Sequence, residues 1–278
     1  NAGDESGWMG WERPEQFCSK FRYICSITGV IRVTHVPRAL HHAGFMASDP
    51  VPSSGGSMLD LASYPLFADL REEQRHQLLD QHRVLRFMAG RPLLHEQDDG
   101  QGLFLFLQGI AKVRSIDVEG QEVVLSLLGP GDLCGEMAIL QGAPRSADVI
   151  CLTDCELVLL RAAPFQALLH QEPRLALALA RLEARRLQNL NRRFVRRESS
   201  AAARLLQVLE DLATRTAPEA PPTAPIPPLP QRELAALSGL ARETASRTLV
   251  RLRRQGLVEQ MPGGRLRLVS CEQRGGLG

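Results

Sequence analysis

The sequence predicts an α+β fold: an N-terminal antiparallel β-roll of the jelly-roll type, then one long helix, then a small helical domain. Three observations support this fold. The first half alternates short apolar runs with turn signals, the middle changes to a helical period, and the last part is rich in arginine. The 278 residues are enough for two domains with separate cores.

The composition is that of a globular protein, with 44% hydrophobic and 23% charged residues. The longest apolar runs, at residues 103–107 and 175–180, are too short to cross a bilayer. Residues 1–57 lack the uninterrupted apolar segment of a secretory signal. We therefore expect a cytoplasmic protein that does not engage a membrane.

Residues 1–57 show no sustained period of two or 3.6 residues, and they end in a stretch rich in Ser, Pro and Gly. The chain opens on Asn1, and Met58 begins the first well-patterned segment. We predict that residues 1–57 are a disordered leader or an over-extended start, with translation beginning at Met58.

Short strands are predicted after a first helix at Arg71–Gln81. Turn signals such as Asp99-Gly100 and Glu119-Gly120 separate them. This rhythm favours an antiparallel sandwich or jelly roll, which we assign to residues 58–170. The predicted strands are Leu93–His95, Leu103–Leu107, Ala111–Ser115, Val123–Leu127, Ala147–Cys151 and Glu156–Leu160.

A long helix is predicted at residues 171–197, since Pro173 can begin a helix and apolar residues follow at helical steps. An apolar seam beside a dense arginine face indicates a dimerisation helix, although the step from Leu182 to Leu187 breaks a strict heptad. The alternative is a helix packed on the core of its own domain. The seam consists of Leu175, Leu179, Leu182, Leu187, Leu190 and Phe194.

Residues 198–278 are predicted to form a separate domain. A helix at Ser199–Thr214 precedes residues 217–230, whose seven prolines cannot continue a helix and favour an extended segment. The chain then shows a helix, a turn, a second helix and two short strands around Pro262-Gly263-Gly264.

Charge is distributed unevenly along the chain. Residues 171–278 hold 19 arginines against 10 acidic residues, whereas residues 1–170 are net acidic. A basic C-terminal part indicates a nucleic-acid surface. The alternative is a solvated arginine-rich surface from a GC-rich genome.

Residues 231–249 have the spacing of a helix-turn-helix. Gly239 falls at the turn, where a left-handed backbone is needed. The second helix then places Arg242 and Glu243 at its N-terminal part, which enters the major groove, where arginine pairs with guanine and glutamate accepts from cytosine. Glu243 and Arg247 can also form a helix salt bridge. The predicted DNA-contacting residues are Gln231, Arg232, Ala241, Arg242, Glu243, Ser246 and Arg247.

The run Gly131–Ala147 carries the chemistry of the first half. A short helical turn opens there, and its free N–H groups can bind an anion. Arg145 can grip a phosphate with two N–H groups, and Ser146 adds a hydroxyl. Glu136 can accept a hydrogen bond from a sugar hydroxyl. One anion clamp and one carboxylate suit a cyclic sugar phosphate, unless the glycines and the arginine are structural.

Both runs resemble the CRP/FNR family of transcription regulators. The first resembles the phosphate-binding cassette of cyclic-nucleotide-binding domains, and residues 242–247 resemble the Arg-Glu-Thr-x-x-Arg core of a winged helix-turn-helix. The resemblance implies that Glu136 holds the ribose 2′-hydroxyl and that Arg145 and Ser146 hold the cyclic phosphate. The ligand-binding residues predicted in this way are Gly135, Glu136, Met137, Ala138, Arg145, Ser146 and Asn191.

The resemblance also implies an effector and partners. It implies a homodimer that binds a palindromic, TGTGA-like site in double-stranded DNA, with half-sites about 34 Å apart, and that works with RNA polymerase. It implies cyclic AMP, rather than cyclic GMP, as the effector. Where the family's activators place a base-contacting Thr-Ser pair, this chain has Leu190 and Asn191, so the base stays open. Ser246 is similar to the FNR branch.

Other functions stay open on the sequence alone. A 2-oxoglutarate sensor would use Arg145 and the arginines of the long helix, and a constitutive DNA-binding protein would bind no small molecule. A haem sensor would use a histidine, and an iron–sulfur sensor would need a third cysteine beside Cys18 and Cys25. The available histidines are His76, His82, His95 and His170.

No nucleophile–base pair or metal-ligand spacing predicts an enzyme or a metal site. The six cysteines contain no tight C-x-x-C pair, which favours buried thiols over a disulfide framework. They are Cys18, Cys25, Cys134, Cys151, Cys155 and Cys271.

Overall fold

The computed structural model describes residues 51–52, 59–100, 102–195, 199–217 and 224–269. They lie in the second of the two units into which the chain divides, Asp49–Gly278. The predictions for residues 1–57 therefore lie outside the described residues, apart from the backbone of strand β1 (Val51–Pro52). Part of the predicted extended segment, residues 218–223, also lies outside them.

The first half is a roll of two antiparallel sheets, with strand orders β1-β2-β9-β4-β7 and β3-β8-β5-β6. All six predicted strands are present, each within one residue of its predicted ends. Strands β2 and β7 are additions to the prediction. The strands are β2 (Arg83–Phe87), β3 (Pro92–Leu94), β4 (Gly102–Gln108), β5 (Ala111–Ile116), β6 (Glu122–Leu128), β7 (Leu133–Cys134), β8 (Asp148–Cys151) and β9 (Cys155–Arg161).

Four helices accompany the roll, and their ends have local causes. Helix α1 stops before the predicted Gln81, because Asp80 is extended and Gln81 has a φ of 59°. Only Glu172 separates α3 from α4. The helices are α1 (Glu72–Leu79), α2 (Glu136–Gln141), α3 (Ala162–Gln171) and α4 (Pro173–Val195).

The apolar seam predicted on the long helix α4 is buried at its N-terminal end and exposed at its C-terminal end. Leu175 and Leu179 are buried in the core of the roll, and Leu182 packs against it. The change from buried to exposed follows Leu182, at the step that breaks the heptad. The seam residues after this step are 42–68% exposed; they are Leu187, Leu190 and Phe194.

The C-terminal part consists of three helices and a two-stranded hairpin. Ser200 caps the first helix by accepting a hydrogen bond from the Ala203 N–H at 3.2 Å. Ile226 pairs with Leu266, so the segment before α6 adds one bridge to the hairpin. The elements are α5 (Ala201–Thr216), α6 (Gln231–Ser238), α7 (Arg242–Arg254), β10 (Val258–Gln260) and β11 (Leu266–Leu268).

The hydrophobic core of the C-terminal part continues into the β-roll. Leu209, Leu234 and Leu252 belong to the same buried cluster as Ile110 and Leu127. The described halves therefore share a continuous core.

No helix among the described residues is both long and apolar enough to cross a membrane.

A buried lysine joins the two halves by ion pairs. Lys112 of β5 is 4% exposed, and its Nζ donates to Glu122 Oε1 and to Glu233 Oε2, both at 2.6 Å. Burial opposes ionisation of Glu122, but hydrogen bonds from Lys112 and Arg114 outweigh it and hold the Glu122 pKa below its usual value. Arg114 also pairs with Asp148 at 3.1 Å. A row of ion pairs therefore runs from β8 to α6.

Candidate functional site

A cavity of about 780 Å³ opens in the β-roll. The loop at Asp98–Gly100 forms one side, with Leu93 and Phe104 among the apolar residues of the lining. Three guanidinium groups line the cavity, against the two carboxylates of Asp98 and Asp99. The cavity therefore combines apolar surface with net positive charge. Its arginines are Arg83, Arg145 and Arg161.

Arg145 is the buried cation of this cavity, with 5% of its surface exposed. Its Nη1 donates to the main-chain oxygen of Gly135 and its Nη2 to that of Gly102, both at 2.7 Å. Burial lowers the Arg145 pKa, but a guanidinium stays charged at neutral pH. Within the described residues, no carboxylate lies in ion-pair distance of it. Neutral carbonyls orient the charge without cancelling it, which suits an incoming anion.

Gly135 permits this packing. It caps α2 with a φ of 89°, a left-handed conformation that favours glycine. A Cβ atom there would lie 2.2 Å from Arg145 Nη1. A side chain in place of the glycine before Glu136 would therefore be strained by the left-handed backbone and would displace the Arg145 guanidinium.

Glu136 is 3% exposed and is held by the long helix. Its Oε1 accepts from Arg186 Nη1 at 2.6 Å, and Arg186 also binds Glu183 at 2.9 Å and the main-chain oxygen of Leu133. Glu136 Oε2 is buried without a hydrogen-bond partner. The carboxylate thus keeps one free acceptor, although Glu136 itself is not part of the cavity lining. Arg186 went unnoticed in the sequence, where it is one of many arginines on one helix.

The other predicted ligand-binding residues are placed differently. Ala138 is buried, whereas the Ser146 hydroxyl is exposed and donates to Met137 Sδ at 3.8 Å. Asn191 is exposed on α4, five residues after Arg186 and so rotated by about 140° from it. The structure therefore brings Gly135, Glu136 and Arg145 together and directs Asn191 away from the pocket of its own chain.

The helix-turn-helix has the predicted geometry. Gly239 ends α6 with a φ of 59°, and Arg204 of α5 donates to its carbonyl at 3.1 Å, a contact that the sequence did not reveal. Arg247 Nε donates to the Glu243 main-chain oxygen at 3.4 Å, and among the described residues the Glu243 carboxylate has no ion pair. The salt bridge considered above is therefore not formed. The exposed residues of the predicted set are Gln231, Arg232, Ala241, Arg242, Glu243 and Arg247, and Ser246 is partly buried.

The haem and iron–sulfur alternatives depend on metal-ligating side chains. No group of three or more such side chains that could hold an ion occurs within the described ranges. Cys134, Cys151 and Cys155 are buried free thiols, and burial raises the Cys134 pKa. The remaining cysteines, Cys18, Cys25 and Cys271, lie outside the described residues.

Comparison with known proteins assigns both halves. Residues 84–172 match the cyclic nucleotide-binding domain family, and residues 202–273 match the Crp-like helix-turn-helix domain family. The cyclic AMP receptor protein of Thermus thermophilus is 35% identical over 204 residues, covering 72% of this chain and 90% of that protein. The cAMP-activated global transcriptional regulator CRP of Haemophilus influenzae is 30% identical over 175 residues, covering 62% and 78%.

Solved structures show the same fold. The c-di-GMP-responsive global regulator CLP of Xanthomonas campestris has a TM-score of 0.58 at 24% identity, covering 72% of this chain and all of that one. The chain belongs to the CRP/FNR family and is a DNA-binding transcription regulator with a cyclic-nucleotide-binding domain. Its relatives are regulators rather than enzymes, as the sequence predicted.

Gly135→Ala should destabilise the protein more than Gly142→Ala. Both glycines have positive φ, at 89° and 61°, so an alanine is strained at either position by about 1–2 kcal/mol. Only at Gly135 does the new Cβ also meet Arg145, since nothing lies within 4 Å at Gly142. Overpacking should add about 1–3 kcal/mol, measured by urea unfolding. Equal losses in the two variants would contradict tight packing of Arg145 on Gly135.

Proposed function

We propose that this regulator is a homodimer gated by a cyclic nucleotide, with cyclic AMP preferred over cyclic GMP, and that it binds a palindromic, TGTGA-like operator. The observation that carries the proposal is the buried Arg145 guanidinium, which lines a cavity and is oriented by two carbonyls without a carboxylate partner. The names of the two relatives above, which refer to cyclic AMP, support the choice of nucleotide.

In this proposal Arg145 binds the cyclic phosphate with its guanidinium, and Ser146 adds a hydroxyl donor. Glu136 Oε2, which is buried without a partner, accepts a hydrogen bond from the ribose 2′-hydroxyl. Met137 and Ala138 follow on the same short helix and give the nucleotide apolar surface. Asn191 would reach a nucleotide only in the pocket of a second copy, because α4 directs it away from its own.

Gating follows from the contacts of Arg186. It connects Glu136 to the long helix, so a ligand that changes the Glu136 hydrogen bonds acts directly on α4. A ligand shifts the equilibrium only by its difference in affinity for the two helix arrangements. The ion pairs from Asp148 to Glu233 give a second connection to the DNA-binding domain.

A dicarboxylate such as 2-oxoglutarate is the second candidate effector. Arg83 and Arg161 line the same cavity as Arg145, so three guanidinium groups are available for two carboxylates. A cyclic monophosphate has one anionic group and needs only Arg145.

The exposed face of α4 supports the homodimer. Leu187, Leu190 and Phe194 lie on one continuous side of the helix, and the described residues do not cover them. An apolar seam on a long helix is the surface that pairs in coiled coils. We propose that residues 58–170 are the sensor, residues 171–197 the dimerisation helix and residues 198–278 the DNA-binding domain.

We also propose that the protein acts with RNA polymerase in the cytoplasm.

Arg145→Leu should weaken cyclic AMP binding at least about a hundredfold, because it removes two charge-assisted hydrogen bonds to the phosphate. Arg83→Leu is the matched control, since Arg83 lines the same cavity without a hydrogen bond or ion pair in the described part of the chain. Calorimetry with cyclic AMP, cyclic GMP and 2-oxoglutarate measures both variants. An absence of heat for either nucleotide, together with ligand-independent DNA binding, would identify a constitutive DNA-binding protein.

Arg242→Ala should cost about 1–3 kcal/mol at one base pair and relax the preference at that position, because a bidentate contact to guanine is lost. Arg251→Ala, at the far end of α7, should instead weaken all sequences alike. Binding titrations on a set of single-base operator variants measure both effects. Uniform weakening by Arg242→Ala would make Arg242 a phosphate contact.

Leu187→Glu should convert the dimer into a monomer, because it places a charge in the apolar seam of α4. Met88→Glu introduces the same charge at another exposed apolar residue, outside α4, and should leave the dimer intact. Sedimentation velocity on the full chain distinguishes the two masses. A wild-type chain that sediments as a monomer with effector present would refute the homodimer.

A further inference from the structure

We propose that the groove between α4, α5 and the β6–β7 region is a second ligand site, which binds a small molecule carrying phosphate or carboxylate groups. The groove has a volume of about 450 Å³ and shares no lining residue with the effector cavity. That volume lies within the range of small-molecule sites in proteins.

Three parts of the molecule form the groove. Helix α4 contributes Asn189 and Arg192, and α5 contributes Thr214. Leu127 and Pro130, from β6 and the loop after it, supply apolar surface. A molecule bound here would contact the β-roll, the long helix and the DNA-binding domain at the same time.

The groove carries an excess of positive charge. Four arginines line it, against the carboxylates of Asp132 and Asp211. Both carboxylates form ion pairs: Asp132 with Arg215, and Asp211 with Arg193 at 3.3 Å. The third arginine, Arg186, pairs with Glu136. The fourth, Arg192, is exposed and has no ion pair in the part of the chain that the structure describes. The pairing therefore leaves a guanidinium available to an anion.

Unused hydrogen-bond donors lie beside the groove. Arg186 and Arg193 line it, and the Nε of Arg186 and the Nη1 of Arg193 are buried without a hydrogen-bond partner among the described residues. Burying a donor without an acceptor is unfavourable, so such donors favour binding of an acceptor. The guanidinium fork matches the oxygen atoms of phosphate and carboxylate, which defines the ligand class.

Occupancy would act on the domain arrangement. An anion held between Arg192 of α4 and Thr214 of α5 binds most tightly when the two helices are at one particular separation, and it therefore favours that arrangement over others. The site shares no lining residue with the effector cavity, but Arg186, which lines the groove, also binds Glu136 of the cassette.

Inorganic pyrophosphate is the probe, titrated into the full chain at constant ionic strength while thermal unfolding is followed. In the wild type, a concentration of about a hundred times Kd should raise Tm by at least about 5 °C. Arg192→Gln/Arg193→Gln should abolish the shift. Arg181→Gln/Arg185→Gln removes the same charge from exposed residues of α4 outside the groove and should keep it.

Two further variants test whether pyrophosphate binds in the groove and whether its binding depends on Arg145. Asn189→Phe keeps every arginine but fills the groove, so it should also abolish the shift. Arg145→Leu should retain the shift, which keeps this result independent of the cyclic-nucleotide proposal. The proposal is overturned if pyrophosphate gives no shift in the wild type, if the shift survives Arg192→Gln/Arg193→Gln, or if Arg145→Leu removes it.

Discussion

The placement of the DNA-binding half depends on the buried ammonium of Lys112. A buried charge is tolerable only beside its partners, so Lys112, Glu122 and Glu233 have to remain together. Glu233 lies in the first turn of α6, and α6 leads through the Gly239 turn into the DNA-contacting helix. Both halves also bury apolar side chains in one core, but the hydrophobic effect is non-directional and does not by itself fix their relative orientation. The ion pairs of Lys112 fix that orientation.

Arg145 of the cassette and Arg186, which contacts the cassette from α4, have opposite surroundings. Arg186 meets the carboxylates of Glu136 and Glu183, which neutralise it and tie the long helix to the roll. Arg145 meets only carbonyl oxygens, so its charge remains available in the cavity. The same residue type thus serves as a structural tie in one position and as an anion receptor in the other, and the difference lies in what surrounds each guanidinium.

Sequence patterns predicted the strands and the helix-turn-helix because their signals are local: turns with glycine and acid, and a glycine at the inter-helix turn. They missed β2, where Arg83 and Arg86 interrupt the apolar pattern. They did not show that the apolar seam of α4 is buried at one end and exposed at the other, because spacing shows that leucines recur but not which surface they meet. Arg186 could not be singled out, since its partner Glu136 is 50 residues away and only the fold brings them together.

The asymmetric burial of α4 has a mechanical consequence. Its apolar anchorage ends at Leu182, and the next 13 residues to Val195 extend about 20 Å without a buried apolar side chain. Arg186 lies only about 6 Å beyond that anchor, so a displacement of about 1 Å there becomes about 3 Å at the helix tip. The Arg193–Asp211 ion pair would pass such a movement to α5. The helix is thus placed as a lever, in which small rearrangements at a buried carboxylate would produce larger ones where the DNA-binding half begins.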